Sequence, residues 1–168
     1  MNITDLFVSE LDRETDRSRR VLESLPDGQG DWKPHDKSMP MKSLAGLVAA
    51  MMSWVTLVID QDELDLTPPP GKGQYQQPAM DKLVETHDTH LAKARESLKK
   101  TTDEYLLTTN WRLRAGGQIV MDQPRYIVLR ETINHLAHHR GQLTVYLRLN
   151  DATVPAIYGP SADDKNFA

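Results

Sequence analysis

The sequence predicts an all-α chain, a four-helix bundle with long crossover connections, and three observations predict it. Four long segments repeat apolar residues at three- and four-residue steps. The stretches between them are rich in proline and glycine and unequal in length. The 168 residues, 39% of them hydrophobic, suit one compact domain over 1–168 with a sizeable core. Amphipathic helices without a sheet to cover must bury their stripes on one another.

The first helix is expected over residues 3–25, with Leu6, Phe7, Leu11, Val21, Leu22 and Leu25 inward and Asn2 or Thr4 as cap. Residues 26–40 hold three prolines and must leave the helix. The second helix is expected over 41–59, where Leu44, Leu47, Val48, Met51, Val55 and Val58 form a broad stripe flanked by Trp54. Three successive prolines then favour an extended course over 66–78, suited to the mouth of a cleft. The third helix carries Met80, Leu83, Val84, His87, Leu91, Ala94 and Leu98. Residues 101–124 hold β-like pieces around Ala115-Gly116-Gly117, which read either as a small hairpin or as an irregular crossover. The last helix is expected over 124–150, with Pro124 in its first turn and a tail after it.

Bulk charge narrows function. Twenty Lys+Arg against 24 Asp+Glu give a net charge of −4, and no basic stripe stands out, so no nucleic-acid partner is expected. There is no cysteine, which removes disulfides, thiolate ligands and a cysteine nucleophile. No apolar run approaches the roughly 18 residues of a membrane span, and the start lacks a signal-peptide pattern, so a cytoplasmic chain without a membrane partner is expected.

The chemistry concentrates in "NHLAHHRGQL", residues 134–143. His135 and His139 stand one turn and about 40° apart on the last helix, close enough for both ring nitrogens to meet one divalent ion. Taken alone, this spacing is a weak signal and suits packed or solvated imidazoles better than a metal. The HExxH zinc motif is absent because Leu136 follows His135. Ala115-Gly116-Gly117 lacks the lysine of a phosphate loop and reads as a tight turn, and no GxSxG elbow occurs. No catalytic residue can be assigned. Trp32, Trp54 and Trp111 suit the core better than a pocket wall. Of Arg140 and Arg148, both outside the apolar stripe, one is expected to pair with Asp163 or Asp164 and the other to be exposed.

The string "NHLAHHRGQLTVYLRLNDATVPAIYGPSADD", taken with "KSMPMKSLAGLVAAMMSW", resembles the DinB-like family of small bacterial four-helix proteins, the DinB/YfiT-like metalloenzymes. The likeness covers nearly the whole chain. It implies a divalent ion, nickel or zinc, held by two histidines of the last helix and one of helix two. By position the last-helix pair is His135 and His139. Where the family usually reads "LAGH", this chain reads "LAGL", so the third position is Leu47, which has no lone pair to give. His87 is the first candidate replacement, Glu131 the second, with solvent as the remaining option. His138 suits a supporting or surface group, and His90 and His35 receive no role.

Two functions follow from the resemblance. One is a metal-dependent enzyme, a transferase or hydrolase acting with a small molecule such as a low-molecular-weight thiol. The other, resting on Leu47, is a member that kept the bundle without the ion and serves as a binding or dimerisation module. A homodimer is what the resemblance implies in either case.

Overall fold

The computed structural model describes residues 2–67 and 77–166. Residues 68–76, which hold most of the proline-rich stretch expected at a cleft mouth, lie outside the described residues, as do residues 167 and 168.

The bundle consists of α1 (Ile3–Glu23), a broken second helix made of α2 (Met41–Ala50) and α3 (Ser53–Asp60), α4 (Leu83–Lys100, entered through a 3-10 turn at Met80–Lys82) and α6 (Arg125–Leu149). A short α5 (Asp103–Thr108) precedes the hairpin. α4 and α6 lie across the core from each other, each flanked by α1 and by the α2–α3 helix. Leu11, Leu44, Val48, Val55, Leu98, Leu129, Leu136 and Leu143 interdigitate in one core cluster. Each such side chain taken from water stabilises the fold by about 1.5–3 kcal/mol.

The second helix is broken, which corrects the expectation of one continuous helix over 41–59. At Met51 and Met52 the ladder changes step: Trp54 N–H bonds to the Met51 carbonyl and Val55 N–H to the Met52 carbonyl, each three residues back. This 3-10 tightening bends the axis by 43° with no proline or glycine at the break. Among the described residues no single helix is long and apolar enough to cross a membrane. The bent pair passes on composition, but Met41, Ala45, Val48, Met52 and Val58 are fully buried inside the bundle.

A small sheet departs from the all-α expectation without changing the predominantly helical class. β2 (Asn110–Ala115) and β3 (Gln118–Pro124) form an antiparallel hairpin, closed by Gly116 and Gly117 at φ of 57° and 78°. Two successive positive φ values suit glycine and match the right-handed twist of the strands. β1 (Glu63–Asp65) adds to β2 in parallel, Leu64 opposite Leu113. Trp111 points from β2 into the core, its ring 6.3 Å from that of Trp54.

The cap of α1 is also remote from the expected one. Asn2 occupies the N-cap position without a side-chain bond. The Asp103 carboxylate accepts instead from Ile3 N–H (2.9 Å), Thr4 N–H (3.1 Å) and the Thr4 hydroxyl (2.9 Å). These donors hold the Asp103 carboxyl below its ordinary range. A residue about a hundred positions downstream thus pins α1 to the start of α5.

Arg148 pairs with Asp163 at 2.6 Å, as expected for one of the two arginines. Arg140 corrects the other half of that expectation, being only 1% exposed. Its Nη2 donates to Glu14 Oε2 (2.6 Å) and the Tyr158 hydroxyl (2.6 Å), and its Nη1 to the Glu14 carbonyl (2.8 Å) and Ser18 Oγ (3.2 Å). Tyr158 donates in turn to Glu14 Oε2 (2.8 Å), and the Arg17 guanidinium lies 4.4 Å from its ring centre. Burial pushes the Glu14 carboxyl up, but the bonds from Arg140 and Tyr158 outweigh it and hold the group below its ordinary value.

Removing the guanidinium takes from the buried Glu14 carboxylate one of its two cationic partners, while Arg17 (2.5 Å) and Tyr158 stay bound to it. Arg140→Met is expected to lower the unfolding free energy in urea by about 1–3 kcal/mol. In the parent chain the Glu14 contribution is present above the ordinary glutamate pKa of about 4.3 and is lost as pH falls through the lower folded value. The variant should lose part of that acid limb.

Candidate functional site

α6 carries the candidate site on the sector next to Arg140. The helix is uninterrupted for 25 residues, so residues one turn apart stay in line. His135 and His139 meet there: their Nε2 atoms are 2.7 Å apart and their ring centres 4.5 Å apart. His139 is buried to 9% exposure, whereas His135 is exposed to solvent. Behind His139, one turn on, the Gln142 side-chain oxygen lies 2.8 Å from Nδ1. An amide oxygen can only accept, so Nδ1 carries the proton and the His139 lone pair is left on Nε2, facing His135. The exposed ring of His135 is held below its ordinary pKa by partial burial first and by the neighbouring His139 and His138 second, which favours a neutral, donating imidazole.

Gln142 was missed by the sequence reading. Its signal was available, since a side chain three residues after a histidine lies on the same helix face.

The same glutamine lines a cleft of about 410 Å³ between α6 and the loop over residues 26–40. Lys37, Ser38, Met39, Val145 and Tyr146 form its other walls. The Tyr146 hydroxyl donates to the Met39 carbonyl (3.1 Å), and Trp32 packs edge-on against Tyr146 with ring centres 5.4 Å apart. Trp32 therefore stiffens the cleft from behind.

The expected third ligands are not brought to the pair. His87 is fully buried, its Nδ1 3.1 Å from Asp88 Oδ1, and Asp88 is held by Arg19 of α1. Glu131 is exposed on α6, His138 is exposed with its ring edge-on to His139, and Leu47 is half-buried against the core. His90 is half-buried, and exposed His35 accepts from the Lys37 N–H in its loop. Among the described residues no three His, Asp or Glu side chains gather as a metal cluster.

The comparisons with known proteins bear on this arrangement. The DinB family model matches residues 1–166. The chain belongs to the DinB family. Among curated proteins it is similar to the uncharacterized protein YrdA of Bacillus subtilis (strain 168), 28% identical over 169 residues, which cover 95% of this chain and 90% of that protein. A DinB-like protein from Bacillus cereus ATCC 10987 shares the fold at a TM-score of 0.69 and 24% identity, over 90% of this chain and 95% of that one. YjoA, a DinB-like protein of Bacillus subtilis, does so at 0.67 and 20%, over 88% and 94%.

Tested against the ion implied by the DinB resemblance, the donor set fits in part. Two neutral imidazole nitrogens converge, with one ring oriented by a hydrogen bond as metal-binding histidines require. Two bonds of about 2.05 Å at a tetrahedral angle span about 3.3 Å, so an ion would open the pair by a fraction of an ångström. A catalytic zinc centre ordinarily takes a third protein donor, and position 47 cannot give it.

The buried His87 carries a pH dependence. Burial is the first cause that lowers its pKa, and the contact with Asp88 opposes it. With the folded value depressed, its stabilising effect is full above about 6.5 and is lost as pH falls through that value toward the folded one. Urea unfolding followed across this range should show stability falling toward acid. His87→Leu should flatten the slope in part, the remainder belonging to His90 and His135, which are lowered as well.

Proposed function

We propose that this DinB-family chain is a metal-dependent enzyme with a two-histidine centre, His135 and His139 giving Nε2 to one divalent ion of the nickel or zinc kind. The observation that carries the reading is the 2.7 Å approach of the two Nε2 atoms with Gln142 behind His139. An ion bound there would act as a Lewis acid, lowering the pKa of a coordinated thiol or water. The chain's own residues do the rest. Gln142 keeps the His139 proton on Nδ1, and His135 stays neutral near physiological pH. The adjoining cleft has the size for a small molecule, which in this reading is a thiol or another donor of low molecular weight. Transfer or hydrolysis is the reaction class. His87, engaged with Asp88, is left outside the ligand set.

Leu47 favours a second reading. With an aliphatic side chain at the third position, the two imidazoles can satisfy each other by one hydrogen bond, and the chain then serves as a metal-free binding or dimerisation module. A homodimer suits both readings, supported by exposed Val145 and Leu149, one turn apart on α6. The cytoplasm is the compartment assigned, in keeping with the cysteine-free composition.

Calorimetric titration of the untagged, chelator-treated chain with nickel and with zinc separates the readings. The first expects one saturable site, abolished by His139→Ala. No binding heat, with a melting temperature unchanged by either ion, would leave only the second. Leu47→His should tighten binding by about tenfold or more where the pair is an intact but incomplete centre. No change in that variant would place the third donor elsewhere.

A further inference from the structure

The cleft beside the histidine pair has a one-sided chemistry. Three lysines surround the loop that forms its outer wall. Lys33 donates to the Asp36 carbonyl at 2.8 Å, with the Asp36 carboxylate 3.9 Å away, and Lys42 pairs with Asp31 at 2.5 Å. Lys37 lines the cleft, and among the described residues no carboxylate lies within ion-pair reach of its ammonium. The other polar groups of the lining are donors or are already used. Gln142 spends its oxygen on His139, which leaves its NH2 group, and the Ser38 hydroxyl is the third donor. The Met39 carbonyl is taken by Tyr146. Among the described residues no Asp or Glu lines the cleft. Pro34, Met39, Val145 and the Tyr146 ring give it an apolar floor.

A lysine and two neutral donors without a carboxylate around an apolar floor favour a small anion with an apolar body. One lysine and two neutral donors, with no arginine, match a monoanionic carboxylate better than a phosphate dianion. The walls are formed in advance, since the Tyr146 bond to Met39, the Trp32 contact and the Met41 N–H bond to the Trp32 carbonyl (2.8 Å) tie the loop to α6 and α2.

We propose that this cleft binds a small carboxylate with an apolar body, Lys37 pairing with the carboxylate while the Gln142 amide and the Ser38 hydroxyl donate to it. Because Gln142 also holds His139, the ligand docks next to the histidine pair. As the substrate subsite of the enzyme, the cleft rests on the two-histidine reading; as a carboxylate site, it does not need the ion.

The test is a nitrogen-15 NMR titration of the full chain, kept metal-free with chelator, using phenylacetate, its neutral isostere phenylacetamide and the cation 2-phenylethylamine. Phenylacetate should give saturable shifts at the amides of Lys37, Ser38, Gln142 and Val145, phenylacetamide should bind about tenfold more weakly, and the amine should not bind. Lys37→Met, at an exposed position, should weaken phenylacetate about tenfold, while Lys37→Arg should keep most of the affinity. Equal binding of the acid and the amide, an unchanged Kd in Lys37→Met, or no saturable shift at these amides would overturn the proposal. Since no metal is present in the titration, failure of the two-histidine reading leaves its outcome untouched, and failure here leaves the metal calorimetry untouched.

Discussion

The buried guanidinium of Arg140 constrains the rest of the molecule. A cation 1% exposed in the middle of a helix costs several kcal/mol in lost hydration unless its donors are matched. Here the matching groups come from two other parts of the chain: Glu14 and Ser18 on α1, and Tyr158 on the tail. α6 therefore cannot rotate without stranding the charge. Arg125, about 22 Å earlier along the same helix, repeats the arrangement, its buried guanidinium bonding to the Val58 and Gln61 carbonyls and to Asp62. Those carbonyls close the C-terminal end of α3, where a cation also meets the negative end of the helix dipole. With both ends fixed, the rotation of α6 is set, and so is the sector on which His135, His139 and Gln142 stand.

The histidine pair exploits that fixed rotation. One turn of helix brings the two rings together, but spacing alone leaves each ring free to flip and to choose its tautomer. Gln142 supplies the missing constraint for His139, while partial burial and the neighbouring His139 and His138 hold the pKa of the exposed His135 below its ordinary value. The pair therefore holds one proton between its nitrogens, and a cation could take that place only if the His135 proton moved to Nδ1. What it lacks is a third donor. Leu47, the position at which the family resemblance implies a third histidine, packs half-buried against the core and has no lone pair to give.

The elements written by period-3.6 hydrophobic patterning were legible in the sequence: α1, α4 and α6 lie within a few residues of their expected bounds. So were the Ala115-Gly116-Gly117 turn and an ion pair between one of the α6 arginines and a tail aspartate, which the structure places at Arg148 and Asp163. The features that were not legible share a cause, which is that the partner is distant in the chain. Asp103 caps α1 from about a hundred residues away, and nothing near Asn2 announces it. β1 is three residues long and exists because β2 offers it an edge. The break at Met51–Met52 lies inside an unbroken apolar pattern and follows from how α2 and α3 wrap the core. Arg140 and Arg148 both fall outside the apolar stripe, so neither read as buried, and only Glu14, 126 residues earlier, reveals why Arg140 is. At the site, the pairing of His135 with His139 was legible from local geometry, whereas the surroundings of His87 depended on which helix came to lie against it.

The residues that mark the family in the sequence divide by what they do. Tyr158, Ser161, Asp163 and Asp164 tie the tail to itself and to the bundle: Ser161 Oγ donates to the Val154 carbonyl, and the two aspartates accept from the Val154 and Ala156 N–H groups. Within "HHRGQL", Arg140 belongs with them, and His139 and Gln142 belong to the chemistry. None of the tail or clamp contacts runs through position 47, and well-separated sites contribute to stability nearly independently. A leucine there packs at least as well as an imidazole that would need a partner for its ring nitrogens. Leucine at position 47 is therefore compatible with the packing of the bundle and with its tail and clamp contacts.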